Sequence, residues 1–272
     1  HGGILVLSTL GLDPELGTDA MELLGLYDQA AEVNVTPDRG YAFSLRGIAR
    51  EWCHATGSSF EDFVLAYGER APEANESGHP VALRDDAPIH GNPGCTRFVM
   101  REVSGVKADA PVPTWMSSRL RLAGVRSLSL PVDISNYVML ETGQPLHFYD
   151  ADKVQGEIVV RRAAAGEKLV TLDGVERTLH PEDIVIADDS GVIGLAGVMG
   201  GASTEVTDST TRILVEAARF DEVSVARTAR RHKLISESSK RFERGVDPLI
   251  QAAAAQRAVE LLVELAGAQV EP

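Results

Sequence analysis

"GEIVVRRAAAGEKLVTLDGVERTLHPEDIVIADDSGVIGLAGV", residues 156–198, decides the fold. Short apolar runs, "GEIVVRRA", "KLVTLDG", "VERTLH", "DIVIADDSG" and "VIGLAGV", alternate with Gly, Asp and Pro. That spacing predicts a series of short strands. Leu172-Asp173-Gly174 and Asp189-Ser190-Gly191 are hairpin signals, so the strands should be largely antiparallel. "CTRFVMREVSGV" before this stretch and "RILVEAARF" after it read as further strands, the second alternating about Val215.

Helices flank the strands. "VPTWMSSRLRLAGV" carries Pro113 near its first turn and Gly124 at its end, and "DISNYVMLETG" has Asp133 as a cap. "DPLIQAAAAQRAVELLVELAG" reads as a helix capped by Asp247, with Pro248 first and Gly267 as its stop. Near the start, Gly3–Ser8 reads as a strand and "TDAMELLGL" as a short helix capped by Thr18 or Asp19. "EVNVTPDRG" is a strand entering a turn, and "AFSLRGIAREWCHATG" a helix stopped by Gly57, with Leu45, Ile48, Ala49 and Trp52 on one face. Residues 71–94 are rich in Pro, Gly, Asn and acid, the composition of a linker. The expected class is α+β: a small α/β unit over 1–70, a linker over 71–94, and a larger, mixed, hairpin-rich α+β domain over 95–272.

The chain has 272 residues, 44% of them apolar, which excludes general disorder. No apolar run approaches the ~20 residues of a membrane span. The N-terminal residues lack the charged region and cleavage site of a signal peptide. Cys53 and Cys95 form no metal or disulfide framework, and a reducing cytoplasm is the simplest compartment. The formal charge of −14 argues against a wholly nucleic-acid-binding surface. Within Ala226–Gly245, however, five Arg and two Lys face only two Glu. This run is either a solvated helix face or a local site for a polyanion.

No nucleophile–base set, zinc motif or phosphate loop stands out. "GLAGVMGG" (194–201) has a glycine every third residue, which lets a backbone pass close to another group. His147 follows Pro145 in what reads as a loop, where a lone histidine is either structural or part of a site. Glu216 sits among Ile213, Leu214, Val215 and two alanines. If it points inward it needs a hydrogen-bond donor, since an unpaired buried carboxylate costs several kcal/mol, roughly. Strand alternation can equally point it to solvent.

Together, "VDISNYVMLETGQPLHFYDADKV", "LAGVMGG", "ILVEAARF" and "RHKLISESSKRFERGVDP" resemble, in order and spacing, the editing module of bacterial phenylalanyl-tRNA synthetase β subunits. "GTDAMELLGLYDQAAEVNVTPDRGYAFSLRGIARE" resembles the domain preceding it. The resemblance implies a piece of a longer cytoplasmic chain whose 95–272 domain hydrolyses misacylated Tyr-tRNA(Phe). The expected partners are tRNA(Phe) and, in the full heterotetramer, an α subunit, with no membrane. No metal or cofactor is expected in this segment; ATP and Mg belong to the complete enzyme, which ligates phenylalanine to tRNA(Phe).

The resemblance also implies residue roles. Glu216 falls where the family reads the tyrosine hydroxyl. His147, Gly200 and Asn136 fall around the scissile ester. Ser236 and Ser238 stand where the family carries Thr and Ala beside the tyrosyl ring. Arg230, Arg231, Arg241 and Arg244 are candidate tRNA contacts, although Arg241 and Arg244 can equally pair with nearby carboxylates. The rival readings are a non-catalytic tRNA-binding or subunit-scaffolding piece, and a free-standing deacylase.

Overall fold

The computed structural model describes residues 4–75 and 77–272. Asp19 starts the first helix, α1 (Ala20–Leu23), by accepting from the Met21 amide. After a 3-10 turn at Pro37–Ala42 comes α2 (Leu45–Thr56), which begins where the Ser44 hydroxyl accepts from the Gly47 amide and stops at Gly57, φ 71°. Asp62 caps α3 (Phe63–Arg70) in the same way. No strand forms among the described residues of 4–70. Gly3 of the expected first strand lies outside the described residues, and Leu7–Leu10 is a 3-10 turn. Residues 32–36 are non-helical but join no sheet, so this block is helical rather than α/β. A short apolar run becomes a strand only where a sheet edge is available to complete its hydrogen bonds.

The expected linker holds a strand, β1 (Val81–Arg84), because its "VALR" run finds such an edge. β2 (Cys95–Ser104) and α4 (Thr114–Leu122) follow as expected. α5 (Leu130–Thr142) starts earlier than expected, with Pro131 in its first turn. Asp133 therefore lies inside the helix, fully buried, and accepts from the Leu128 amide at 3.0 Å and from the Ser127 hydroxyl. The hairpin region gives β3 (Leu146–Asp150), β4 (Ile158–Arg162), β5 (Lys168–Val170), β6 (Glu176–Thr178), β7 (Ile184–Asp188), β8 (Gly191–Leu195) and β9 (Met199–Gly200). Then come β10 (Ile213–Phe220), α6 (Glu222–His232), α7 (Glu237–Phe242), α8 (Gln251–Ala266) and β11 (Gln269–Val270). α8 begins beyond Pro248, and Asp247 accepts from the Leu249 amide at 2.9 Å in a turn before the helix.

The class is α+β. One sheet runs β1-β4-β7-β8-β9, parallel only at β1–β4; a second runs β11-β2-β10-β3, antiparallel throughout; β5 and β6 form a third. Both hairpin signals close hairpins, β5–β6 and β7–β8.

β10 organises the core, and it does not alternate in burial. Leu214, Ala218 and Phe220 pack with the five-stranded sheet, α6 and α7. Ile213, Val215 and Ala217 pack with α4, α5 and α8. A strand between two layers is buried on both faces, and each large apolar side chain so placed contributes about 1.5–3 kcal/mol. Glu216 has the parity of Leu214 and so faces the five-stranded sheet.

The N-terminal block is fastened to the C-terminal helices. Val64 packs on Ile250 and Ala253. Arg46 binds Asp62 at 2.6 Å and Asp247 at 2.8 Å. The Arg241 Nε donates to the Phe43 carbonyl at 3.1 Å, and the Arg244 guanidinium lies 4.8 Å from the Phe43 ring centroid.

Candidate functional site

Glu216 on β10 stands opposite His147 on β3. Directly paired residues project from the same sheet face, and Tyr149, two positions along β3, shares it. His147 is thus a strand residue, not a loop residue. The Tyr149 hydroxyl donates to Glu216 Oε2, and the His147 and Tyr149 rings meet edge to face with centroids 4.4 Å apart.

The glycine hairpin of β8 and β9 forms the facing wall. Gly200 lies against the His147 ring. α7 closes the side: the Ser238 hydroxyl donates to the Gly197 carbonyl at 3.1 Å and the Ser236 hydroxyl to the Val198 carbonyl at 3.0 Å. Between these walls is a cavity of about 200 Å³, lined among others by His147, Tyr149, Gly200, Glu216, Ser238 and Phe242. An apolar cavity of ~150 Å³ accepts benzene, so this one holds a phenol-sized ring.

Burial sets its electrostatics. It pushes the Glu216 carboxyl up to about 7, against the pull of the Tyr149 hydrogen bond. It pushes His147 down to about 4, so the imidazole is neutral at physiological pH. His147 Nε2 is buried and has no hydrogen-bond partner among the described residues. The carboxylate expected to need a donor already has one, from the chain itself. Glu216 Oε1 makes no hydrogen bond among the described residues.

Four of the expected residues, His147, Gly200, Glu216 and Ser238, line this one cavity. Ser236 stands just behind the wall, where it caps α7. Asn136 does not line it: α5 packs on the opposite face of the four-stranded sheet from Glu216. Tyr149 was not singled out by its residue type. The signal was its period-2 offset from His147, which a loop assignment hides.

Most of the basic run is engaged internally. Arg231 pairs with Glu182 at 2.7 Å and with buried Asp183, and Arg227 with Glu182 at 3.0 Å. Arg241 is buried against Glu237, and Arg244 donates to the Val35 carbonyl. Arg230 and Lys233 are exposed and have no ion pair among the described residues. Among those residues, no three His, Cys, Asp or Glu side chains gather as metal ligands. No helix among the described residues is long and apolar enough to cross a membrane.

A two-layered hairpin sheet backed by helices, with a buried carboxylate beside a glycine hairpin, is the architecture over which residues 94–267 match the B3/4 domain family, and the chain belongs to that family. It is 64% identical over 98% of its length to the phenylalanine–tRNA ligase beta subunit of Leifsonia xyli subsp. xyli. It is 57% identical over 99% to the subunit of that name from Streptomyces avermitilis. In both cases the alignment takes in 31% of the relative, so the chain spans about a third of the length of the curated relatives it matches. A crystal structure of an N-terminal fragment of the phenylalanyl-tRNA synthetase beta-subunit from Pyrococcus horikoshii aligns over 83% of this chain and 71% of that one, at TM-score 0.40 and 17% identity.

Proposed function

We propose that this chain is the editing part of a phenylalanine–tRNA ligase β subunit, and that its cavity hydrolyses the ester of Tyr-tRNA(Phe). The observation that carries the reading is Glu216: a buried carboxylate at a ring-sized cavity, with one oxygen lacking a donor. A synthetic pocket shaped for phenylalanine rejects an added hydroxyl by a factor of only ~10². A second cavity that accepts a hydrogen bond from the phenol discriminates the other way, because a phenylalanyl group leaves the buried acceptor unpaired.

The chemistry needs no covalent intermediate. Water attacks the ester carbonyl, and the neutral His147 orients that water or the ribose hydroxyl through Nε2. The Gly201 amide donates to the Ile193 carbonyl and the Val198 amide to the Leu195 carbonyl. Backbone amides of this hairpin are the groups that can donate to the oxyanion. Within the basic run, Arg230 and Lys233 are the cations free among the described residues to meet tRNA phosphates. Ligation itself, with ATP, Mg and an α subunit, belongs on this reading to the rest of the relatives' length.

The test compares deacylation of Tyr-tRNA(Phe) and Phe-tRNA(Phe) by the unmodified chain and by Glu216→Ala. Selectivity for the tyrosyl ester should fall by about 1.5–3 kcal/mol, the worth of a hydrogen bond to a charged group. Unchanged selectivity in a folded variant sinks the assignment and leaves a binding or scaffolding role.

A further inference from the structure

We propose that Tyr149 is a positioning residue for specificity: its hydroxyl clamps one oxygen of Glu216 and so presents the other, singly, to the hydroxyl of an incoming phenol. The inference rests on the tyrosyl-ester reading of the cavity. Its geometry does not. Tyr149 is fully buried, sits diagonally across from Glu216 on the same sheet face, and makes the only hydrogen bond of the Glu216 side chain among the described residues. Its ring is also fixed edge-on to His147 at an interplanar angle of 82°. One side chain therefore sets the position of both Glu216 and His147.

The groups around Glu216 show why this contact matters. From β3 it faces Tyr149 and His147, and from β2 it acts on the buried Cys95 thiol, whose ionisation its charge opposes. The glycine hairpin and α7 bring backbone, apolar side chains and Ser238 to the cavity, but no cation. Against burial, the Tyr149 hydroxyl is the favourable contact that holds the carboxylate ionised and stops it from rotating. A carboxylate with both oxygens free would accept donors in several orientations. One with Oε2 taken has a single open acceptor.

The test is Tyr149→Phe in the 272-residue chain, which keeps the ring and removes one hydroxyl. The Glu216 carboxyl is followed by ¹³C NMR against pH, with Glu216→Gln assigning the signal. The ratio of tyrosyl to phenylalanyl ester cleavage is measured over the same range. Loss of the hydroxyl should raise the proton affinity of Glu216 about tenfold and lower the ratio about fivefold at pH 7, with recovery near pH 9. If Tyr149→Phe does not fold, 3-fluorotyrosine in place of Tyr149 strengthens the donor and should move the titration the opposite way. An unmoved titration overturns the proposal, as does a ratio lost equally at every pH. An unmodified chain with no tyrosyl preference overturns the cavity reading instead, and a shifted titration in that chain still upholds the Tyr149–Glu216 coupling.

Discussion

A side chain at Gly200 would collide with His147: a Cβ built there stands 2.3 Å from His147 Cε1 and 2.7 Å from Nε2. The ring has little room to yield, because Tyr149 backs it at 4.4 Å between centroids. Gly200→Ala should therefore destabilise the fold by about 1–3 kcal/mol, the usual cost of overpacking, and displace His147 from the cavity. Urea unfolding measures the first effect, and the loss of tyrosyl-ester cleavage the second. A variant as stable as the parent would show that the hairpin simply moves aside.

Glu216 and His147 should oppose one another in the pH dependence of stability. A buried carboxyl raised from 4.5 to about 7 binds its proton more tightly when folded, so its contribution falls as pH rises across that window. A histidine lowered from 6.5 to about 4 binds its proton less tightly when folded, so its contribution rises across its own window. The two slopes offset each other between them. Glu216→Gln removes one, and its stability relative to the parent should grow by about 3 kcal/mol from pH 4.5 to 7.5. A constant difference in urea midpoints would mean that Glu216 titrates normally.

Arg46 joins three segments far apart in sequence, with its own side chain and that of Asp62 nearly buried. Arg46→Ala leaves Asp247 without its ion-pair partner and Asp62 with only the longer contact to Arg50 at 3.6 Å, and should cost about 3 kcal/mol. Hydrogen exchange should show residues 35–70 losing protection first. Uniform loss across the chain would contradict a local clasp.

The basic run should divide into two classes. Arg231→Ala removes a partner of buried Asp183 and should destabilise by about 2–3 kcal/mol. Arg230→Gln with Lys233→Asn should change stability by less than about 0.5 kcal/mol. The same pair should reduce the slope of log K against log salt for tRNA binding by about 1.5. An unchanged slope would assign both cations to a solvated face.

What the sequence reveals here depends on how local the cause is. Hairpins at 172–174 and 189–191, and helix stops at Gly57 and Gly267, follow from residues in the turn itself. The convergence of His147, Gly200, Glu216 and Ser238 was legible only through family resemblance, because four separate segments supply them. Tyr149 was within reach of period-2 counting. The fate of the basic run was not: Arg231 meets Asp183 48 positions upstream, and Arg244 meets the Val35 carbonyl 209 positions away. The strands expected before residue 70 failed for a related reason, since pairing is decided by a neighbour and not by the run.

The way the N-terminal block is clasped also governs where this protein can be divided. Ala42 and Val64 are the only apolar side chains buried within 4–70, too few to hold that stretch together alone. The remainder, severed from it, would bare Ile250 and Ala253 to water and strand Arg241 beside a missing Phe43 carbonyl. A shortened version for expression should therefore keep everything from Val35 onward, and a protease nick between Arg70 and Val81 should leave two pieces that stay together until denatured.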